Sequence, residues 1–224
     1  MSGALGWGAL AASSLVIGAL LGIARRWPDV LIGLVLAFGA GALISAVSFD
    51  LLEEGVRVGG NAAVGVGLAA GALTYFAASR ALPDTGGTAL ALGAFLDGIP
   101  EQAVLGIGLA SGEGVSVGLL AAIFVSNLPE AIGSASAMQA PKNRIIALWV
   151  AVAVVCTIST VAGYAIADVT GGTLRAGIDG FAAGALLVML IDTMIPEATR
   201  RAGDVAGLAT VLGFAVAAGL SLSS

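Results

Sequence analysis

The chain contains no histidine, and only 10% of its 224 residues are charged. Without histidine it lacks the Ser/His and Cys/His pairs and the His-Glu-x-x-His motif of many hydrolases, so we do not expect an enzyme. The single cysteine, Cys156, cannot form an intramolecular disulfide, and its apolar neighbours predict a small buried side chain. The few Lys and Arg residues form no basic patch, which argues against nucleic-acid binding.

Long hydrophobic runs fill the sequence instead. Hydrophobic residues make up 58% of the chain, and its charged fraction lies far below the roughly 25% of a soluble domain. Each run approaches or reaches the about 17–25 residues that a helix needs to cross a bilayer. The runs are Gly3–Ala24, Val30–Leu52, Ala62–Ser79, Thr88–Ala110, Val115–Met138, Ile145–Ala167, Gly177–Ile195 and Val205–Leu222. We therefore predict an all-α integral membrane protein with eight transmembrane helices and one domain over residues 1–224.

The basic residues predict the orientation of these helices. Seven Lys and Arg residues follow the odd-numbered helices, against two on the other face. The seven are Arg25, Arg26, Arg80, Lys142, Arg144, Arg200 and Arg201, and the two are Arg57 and Arg175. The positive-inside rule then places the odd-numbered loops in the cytoplasm and both termini outside. No basic residue precedes the first run, which predicts a retained helix and not a cleaved signal peptide.

A weak internal repeat suggests how the helices are arranged. Gly41–Glu54 aligns without gaps with Gly184–Glu197, sharing the opening Gly-Ala-Leu and the closing Glu. The match relates helix 2 to helix 7, which are predicted to run in opposite directions, as an inverted repeat of helices 1–3 and 6–8 requires. Helices 4 and 5 then form a central pair, giving a 3+2+3 arrangement. Abundant glycine and alanine fit close helix packing, and the same small-residue faces are compatible with a homodimer.

Three Pro-Glu pairs occur, at Pro100-Glu101, Pro129-Glu130 and Pro196-Glu197. The first two lie in the middle of apolar runs, where a carboxylate costs roughly 2.5–3.5 kcal/mol. Each proline also removes a backbone donor and frees carbonyl groups one turn earlier. These positions therefore predict a polar path through the membrane.

Helices 4 and 5 carry the candidate site. Asp97 and Glu101 are four residues apart on helix 4 and share one face. On helix 5, Ser126 and Asn127 precede Glu130 by four and three residues and share its face. Three carboxylates cannot remain charged together without compensation, so the site is expected to take up protons or a divalent cation as substrate. For any single acid, the alternative is a protonated side chain that holds helices together.

Further acids suggest an entrance and an exit. Asp50 and Glu54 fall near the outer end of helix 2, and Asp192 and Glu197 near the inner end of helix 7. For Glu53, Glu54 and Glu197, ordinary solvated helix ends are an equally good interpretation. Three other acids are expected to be solvated in outer loops: Glu113, Asp168 and Asp179.

These residues resemble the ZIP family of divalent metal transporters, in particular its small prokaryotic, GufA-like members, over essentially the whole chain. The family pattern His-Asn-x-Pro-Glu-Gly of helix 4 corresponds to Asp97–Gln102, and the His-or-Gln and Asn-or-Asp positions of helix 5 to Ser126 and Asn127. The segments Ser48–Glu54 and Ile195–Ala198 also resemble such members. The resemblance implies alternating access, in which the helix 4–5 bundle moves against a scaffold in a prokaryotic cell (inner) membrane.

The chain also departs from the family pattern. Asp97 replaces the imidazole ligand, and Gly98 removes the side-chain ligand that the family asparagine supplies. Helix 6 has no acid for a second metal and offers only Cys156, Thr157, Ser159 and Thr160. We therefore expect one metal site. Its oxygen ligands favour a broad or Mn²⁺- and Fe²⁺-leaning transporter, with Zn²⁺ as an alternative, and no prosthetic group.

Two other interpretations remain open. The same fold could carry protons on these acids and drive transport of another solute, without a metal site. A non-transporting membrane protein, such as an assembly partner of a larger complex, could hold the acids protonated.

Overall fold

The computed structural model describes residues 2–81, 87–110, 117–169 and 171–221, and the regular elements of these residues are helices. The α-helices are α1 (Ser2–Ala24), α2 (Asp29–Ala46), α3 (Glu54–Gly59), α4 (Asn61–Arg80), α5 (Gly87–Ala110), α6 (Val117–Ala137), α7 (Lys142–Val169), α8 (Gly172–Met189), α9 (Ile195–Ala202) and α10 (Ala206–Ser221). Two π-helical turns, Val47–Glu53 and Leu190–Met194, join α2 to α3 and α8 to α9. A 3₁₀ turn, Gly203–Val205, precedes α10.

Six helices of the described residues are long and apolar enough to cross a membrane. They are Ser2–Ala24, Asp29–Gly59, Asn61–Arg80, Val117–Ser136, Lys142–Ala167 and Gly172–Leu220. Large apolar side chains point away from the bundle, as in Val66 (73% exposed), Leu73 (68%) and Leu208 (74%). Surfaces of this kind suit lipid and are unusual in water. The chain is thus an all-helical, multi-pass membrane protein, as the sequence predicts.

Two predicted helices are longer than their hydrophobic runs. Helix 2 was expected to end at Leu52 but continues through the π-helical turn to Gly59, and helix 7 begins at Gly172 and not at Gly177. The prediction that Arg175 and Asp179 lie in an outer loop is therefore wrong, because both are buried in α8. Each residue balances the charge of the other, which hydropathy cannot detect. Of the remaining predicted loop acids, Glu113 and the side chain of Asp168 lie outside the described residues.

The two segments that align in sequence also share local structure. In both segments a π-helical turn begins at the same aligned position. A Glu–Arg ion pair follows the turn, and each segment then ends at a glycine with positive φ. The aligned pairs are Val47 with Leu190, Glu54 with Glu197, Arg57 with Arg200, and Gly60 (φ 88°) with Gly203 (φ 64°). A positive φ suits glycine, and at both positions it ends one helix and starts the next.

Four pairs of helices pack with their backbones in close approach: α1 with α6, α2 with α10, α4 with α8, and α5 with α7. A Cβ atom added to Gly18, Gly41, Gly71 or Gly106 would lie 1.8–2.5 Å from a carbonyl oxygen of the facing helix. In α4 and α8, Gly67 faces Gly177 and Gly71 faces Phe181, so the two helices are parallel. Such contacts let dispersion forces hold helices together in lipid, where the hydrophobic effect does not drive their association.

The helices fall into two groups. Helices α1, α5, α6 and α7 contact one another, and helices α2, α4, α8 and α10 form the other group. One hydrophobic cluster, which includes Leu15, Ala131 and Trp149, lies wholly within the first group. Contacts between the groups run mainly between α2 and α6 and between α5 and α8.

We predict that Gly71→Ala lowers the thermal stability of the purified protein, because the added methyl group would sit 1.9 Å from the carbonyl oxygen of Phe181. Forcing this contact should cost about 1–3 kcal/mol. Gly65→Ala on the same helix is the matched control, since a Cβ there has no neighbour within 4 Å. In the control, the higher helix propensity of alanine should leave the melting temperature unchanged or slightly raised. Equal losses in both variants would show that the close approach is not what stabilises this pair.

Candidate functional site

Two of the residues predicted on helices 4 and 5, Glu101 of α5 and Ser126 of α6, are in contact. Ser126 Oγ lies 3.2 Å from Glu101 Oε1, and it lies 3.0 Å from the carbonyl oxygen of Ile123 one turn earlier. The hydroxyl hydrogen can be donated to either acceptor. Glu101 is 1% exposed and Ser126 is fully buried, so this contact joins the two helices inside the protein. The structure thus brings together the two Pro-Glu helices, with Pro100 and Pro129 inside α5 and α6.

Asn127 directly follows Ser126 in α6 and is also fully buried. Neither its Oδ1 nor its Nδ2 atom has a hydrogen-bond partner among the described residues. A buried polar group without a partner costs about 1–3 kcal/mol, and native proteins keep few of them. An amide oxygen in this position is a suitable ligand for a hard cation.

The other two predicted ligands are less completely described. Asp97 lies within α5, one turn before Glu101, but its side chain is outside the described residues. Glu130 is half-buried on α6. Glu130 and Glu101 both lie close enough to Cys156 for their charges to act on its thiol. The region therefore includes at least two carboxyl groups, a hydroxyl and an amide, all inside the helix bundle.

Helix α7 closes one side of the site, and its contribution was not evident in the sequence. A Cβ atom at Gly98 would lie 2.7 Å from Cys156 Sγ, so the thiol occupies the space that a side chain at position 98 would need. Thr160 Oγ1 donates a hydrogen bond to Gln102 Oε1 at 2.7 Å, and both side chains are fully buried. Gln102 lies beside Glu101, and its replacement of the family glycine was the only sequence signal for this contact.

The four predicted pathway acids lie away from this contact. Asp50 is half-buried in the first π-helical turn, and Asp192 lies in the second, exposed and 3.6 Å from Arg80 Nη1. Glu54 pairs with Arg57, and Glu197 pairs with Arg200 and Arg201. π-helical turns often mark functional positions, and both aspartates lie in one.

The donor set determines which chemistry is available. Within the part of the chain that the structure describes, no three His, Cys, Asp or Glu side chains form a ready-made metal centre. The buried groups are instead a mixture of carboxylate, amide and hydroxyl oxygens. Such a mixture can coordinate a divalent cation or hold a proton.

Comparison with known proteins identifies a relative of this chain. No model of a known protein family matches the chain. Over 202 residues, the chain is 30% identical to an Arabidopsis thaliana protein whose curated name is "Putative zinc transporter". The match covers 80% of this chain and 32% of that protein, so the chain spans about a third of its relative.

We predict that Asn127→Leu raises the melting temperature measured without added metal, because it replaces a buried unpaired amide by an apolar side chain of similar shape. The gain in the free energy of unfolding should be about 1–3 kcal/mol. Gln102→Leu is the control, because Gln102 Oε1 accepts the bond from Thr160 and loss of that bond should be destabilising, although Gln102 Nε2 has no partner among the described residues. If Asn127→Leu destabilises the protein as much as Gln102→Leu, the Asn127 amide has a structural partner and is not a candidate ligand.

Proposed function

We propose that this chain transports a divalent metal cation across a membrane through the buried site formed by Asp97, Glu101, Ser126, Asn127 and Glu130. The observation that carries the proposal is the fully buried Asn127 amide, which has no hydrogen-bond partner among the described residues and follows Ser126, the residue in contact with Glu101. Carboxylates inside a membrane protein are expensive and generally mark ion or proton pathways. A bound cation would compensate their charge and satisfy the amide oxygen. Asp50, Glu54, Asp192 and Glu197 would then mark the approach to the site and the exit from it.

The metal preference follows from the ligands. Oxygen ligands without imidazole suit Mn²⁺ and Fe²⁺, so we propose a broad or manganese- and iron-leaning transporter. Similarity to a protein named for zinc keeps Zn²⁺ as a second cargo, since zinc also accepts carboxylate ligands and binds most sites more tightly than manganese.

The helix arrangement suggests how transport occurs. We infer eight spans in an inverted 3+2+3 repeat, supported by the shared local structure of the two aligned segments. The four close pairs support the same repeat. The predicted helices 1 to 8 correspond, in order, to α1, α2, α4, α5, α6, α7, α8 and α10. The repeat relates α1 to α7 and α6 to α5, so the pair α1/α6 corresponds to α7/α5, and in the same way the pair α2/α10 corresponds to α8/α4. Alternating access would come from movement of the group with α5 and α6 against the other group.

The remaining features belong to the same proposal. We propose membership of the ZIP family, with the small prokaryotic GufA-like members as the subtype, and the motif resemblance and the transporter relative support this proposal. The basic residues favour both termini outside the cell membrane. A homodimer would use exposed faces rich in small residues.

We predict that divalent metal raises the melting temperature of the purified protein, since a ligand that binds only the folded state must stabilise it. At a metal concentration 100 times the Kd, the gain is about 2.7 kcal/mol. The measurement is a thermal-unfolding series with Mn²⁺, Fe²⁺, Zn²⁺, Cd²⁺, Mg²⁺ and Ca²⁺. Glu101→Gln and Glu130→Gln should each abolish the shift, whereas Asp204→Asn, at an exposed acid in the 3₁₀ turn, should retain it.

The outcomes separate the candidate functions. A shift that survives in both glutamine variants would place the metal elsewhere. Absence of a shift with every cation, together with pH-dependent transport in vesicles, would favour proton-coupled transport of another solute. If neither glutamine variant alters stability or transport, the acids have no transport role.

A second prediction tests the metal preference. If oxygen ligands dominate, Cys156→Ala should leave the Mn²⁺-dependent rise in melting temperature unchanged. Loss of the Zn²⁺ and Cd²⁺ shifts alone in this variant would show that the thiol against Gly98 binds the softer ions, which contradicts the manganese and iron preference. Isothermal titration with each ion provides an independent ranking.

A further inference from the structure

Helix α8 contains a buried ion pair that the proposed cation site does not use. Arg175 Nε lies 3.0 Å from Asp179 Oδ1 one turn later. Arg175 is 8% exposed and Asp179 is 1% exposed, so both charges are removed from solvent. Among the other arginines in ion pairs that the structure describes, Arg57, Arg80 and Arg200 have mostly exposed side chains, and the Arg201 side chain is 19% exposed.

Arg175 also connects the two groups of helices. Its Nη2 atom donates a hydrogen bond of 2.9 Å to the carbonyl oxygen of Ile107, near the C-terminal end of α5. The last four carbonyl groups of a helix have no partner within it and carry partial negative charge. The guanidinium therefore caps α5 from α8, while Asp179 orients it from behind. Glycines make close approaches within each group and also between the groups, where a Cβ atom at Gly39 of α2 would lie 2.9 Å from Ser126 Cα of α6.

The contact between Arg175 and the Ile107 carbonyl group is polar, and this property suggests its role. Replacing a buried ion pair by apolar side chains is often neutral or stabilising, so stability alone gives little reason to keep one. A guanidinium and a carbonyl can exchange their mutual hydrogen bond for water when they separate. The contact is thus of a kind that can open and close, unlike glycine-mediated packing.

A similar arrangement occurs at the end of α9, which continues from α8 through the second π-helical turn. Arg201, at the end of α9, forms ion pairs with Glu197 and with Asp29 of α2. A Cβ atom at Gly133 of α6 would lie 3.2 Å from Arg201 Nη2. Arg175 thus lies against the C-terminal half of α5, and Arg201 lies against the C-terminal half of α6.

We propose that Arg175 and Asp179 form a latch that holds α8 against the C-terminal end of α5 and releases when this end of the transport path opens. The inference rests on the proposed transport function, because transport requires the two ends to open in turn. Ile107 belongs to α5, which carries Glu101 about two turns earlier. Release of its carbonyl by Arg175 would let this end of α5 separate from α8 and expose the segment that leads to Glu101.

The test measures how readily that segment is reached from solution. Val104, one turn from both Glu101 and Ile107, is 1% exposed and serves as the reporter as Val104→Cys in a Cys156→Ala background. The double variant Arg175→Met/Asp179→Leu removes both charges together, so no unpaired charge remains to unfold the protein. We expect a membrane-impermeant maleimide to label the reporter at least about tenfold faster in the double variant, because the open state becomes more populated.

Controls separate a latch from general loosening. Ser134→Cys on α6, toward the Arg201 end, should be labelled at an unchanged rate in the double variant. Asp179→Asn, which leaves Arg175 able to reach Ile107, should give an intermediate rate at Val104→Cys. Size-exclusion chromatography and melting temperature establish that each variant is folded. Unchanged labelling of Val104→Cys in folded double variant, or equal acceleration at both reporters, would overturn the proposal.

Labelling is measured without metal, so this test is independent of the cargo. Faster labelling at Val104→Cys in a protein that no cation stabilises would retain the latch and reject metal as the substrate. Metal-dependent stabilisation with unchanged labelling would retain the cation site and reject the latch.

Discussion

Close contact between helix backbones is the constraint on which the rest of this structure depends. In lipid, apolar side chains gain little by leaving their surroundings, so helices associate only where their backbones can approach and dispersion forces can act. Glycines such as Gly41, Gly71 and Gly106 provide that approach, because a methyl group at any of them would overlap a carbonyl oxygen. The parallel helix pairs, the two helix groups and the position of the site between α5 and α6 all follow from these contacts.

Polar groups inside the bundle differ in whether they have hydrogen-bond partners. Arg175 and Asp179 satisfy each other and the end of α5, and Gln102 accepts a bond from Thr160. The Asn127 amide, in contrast, is fully buried and has no hydrogen-bond partner among the described residues. Because burial of an unpaired amide is costly, such a group is informative about binding, whereas a satisfied group is informative about architecture.

Sequence reasoning succeeded where a single segment contains the whole signal. Hydrophobic length predicts the helical membrane protein, and the Pro-Glu spacing predicts that Glu101 and Ser126 face each other. It failed at Asp179, which was expected in a solvated loop. The charge of Asp179 is balanced by Arg175 inside the same helix, and the pair gains a third partner from Ile107, which lies far away in the sequence.

The sequence by itself determined the class of protein and indicated which residues to consider for the candidate site, because bilayer thickness and helix periodicity act on neighbouring residues. The tertiary structure alone decided which helices pair, that Cys156 lies against Gly98, and that Arg175 joins α8 to α5. These contacts join residues that are distant in sequence. They depend on where backbones approach most closely, and no local pattern records that geometry.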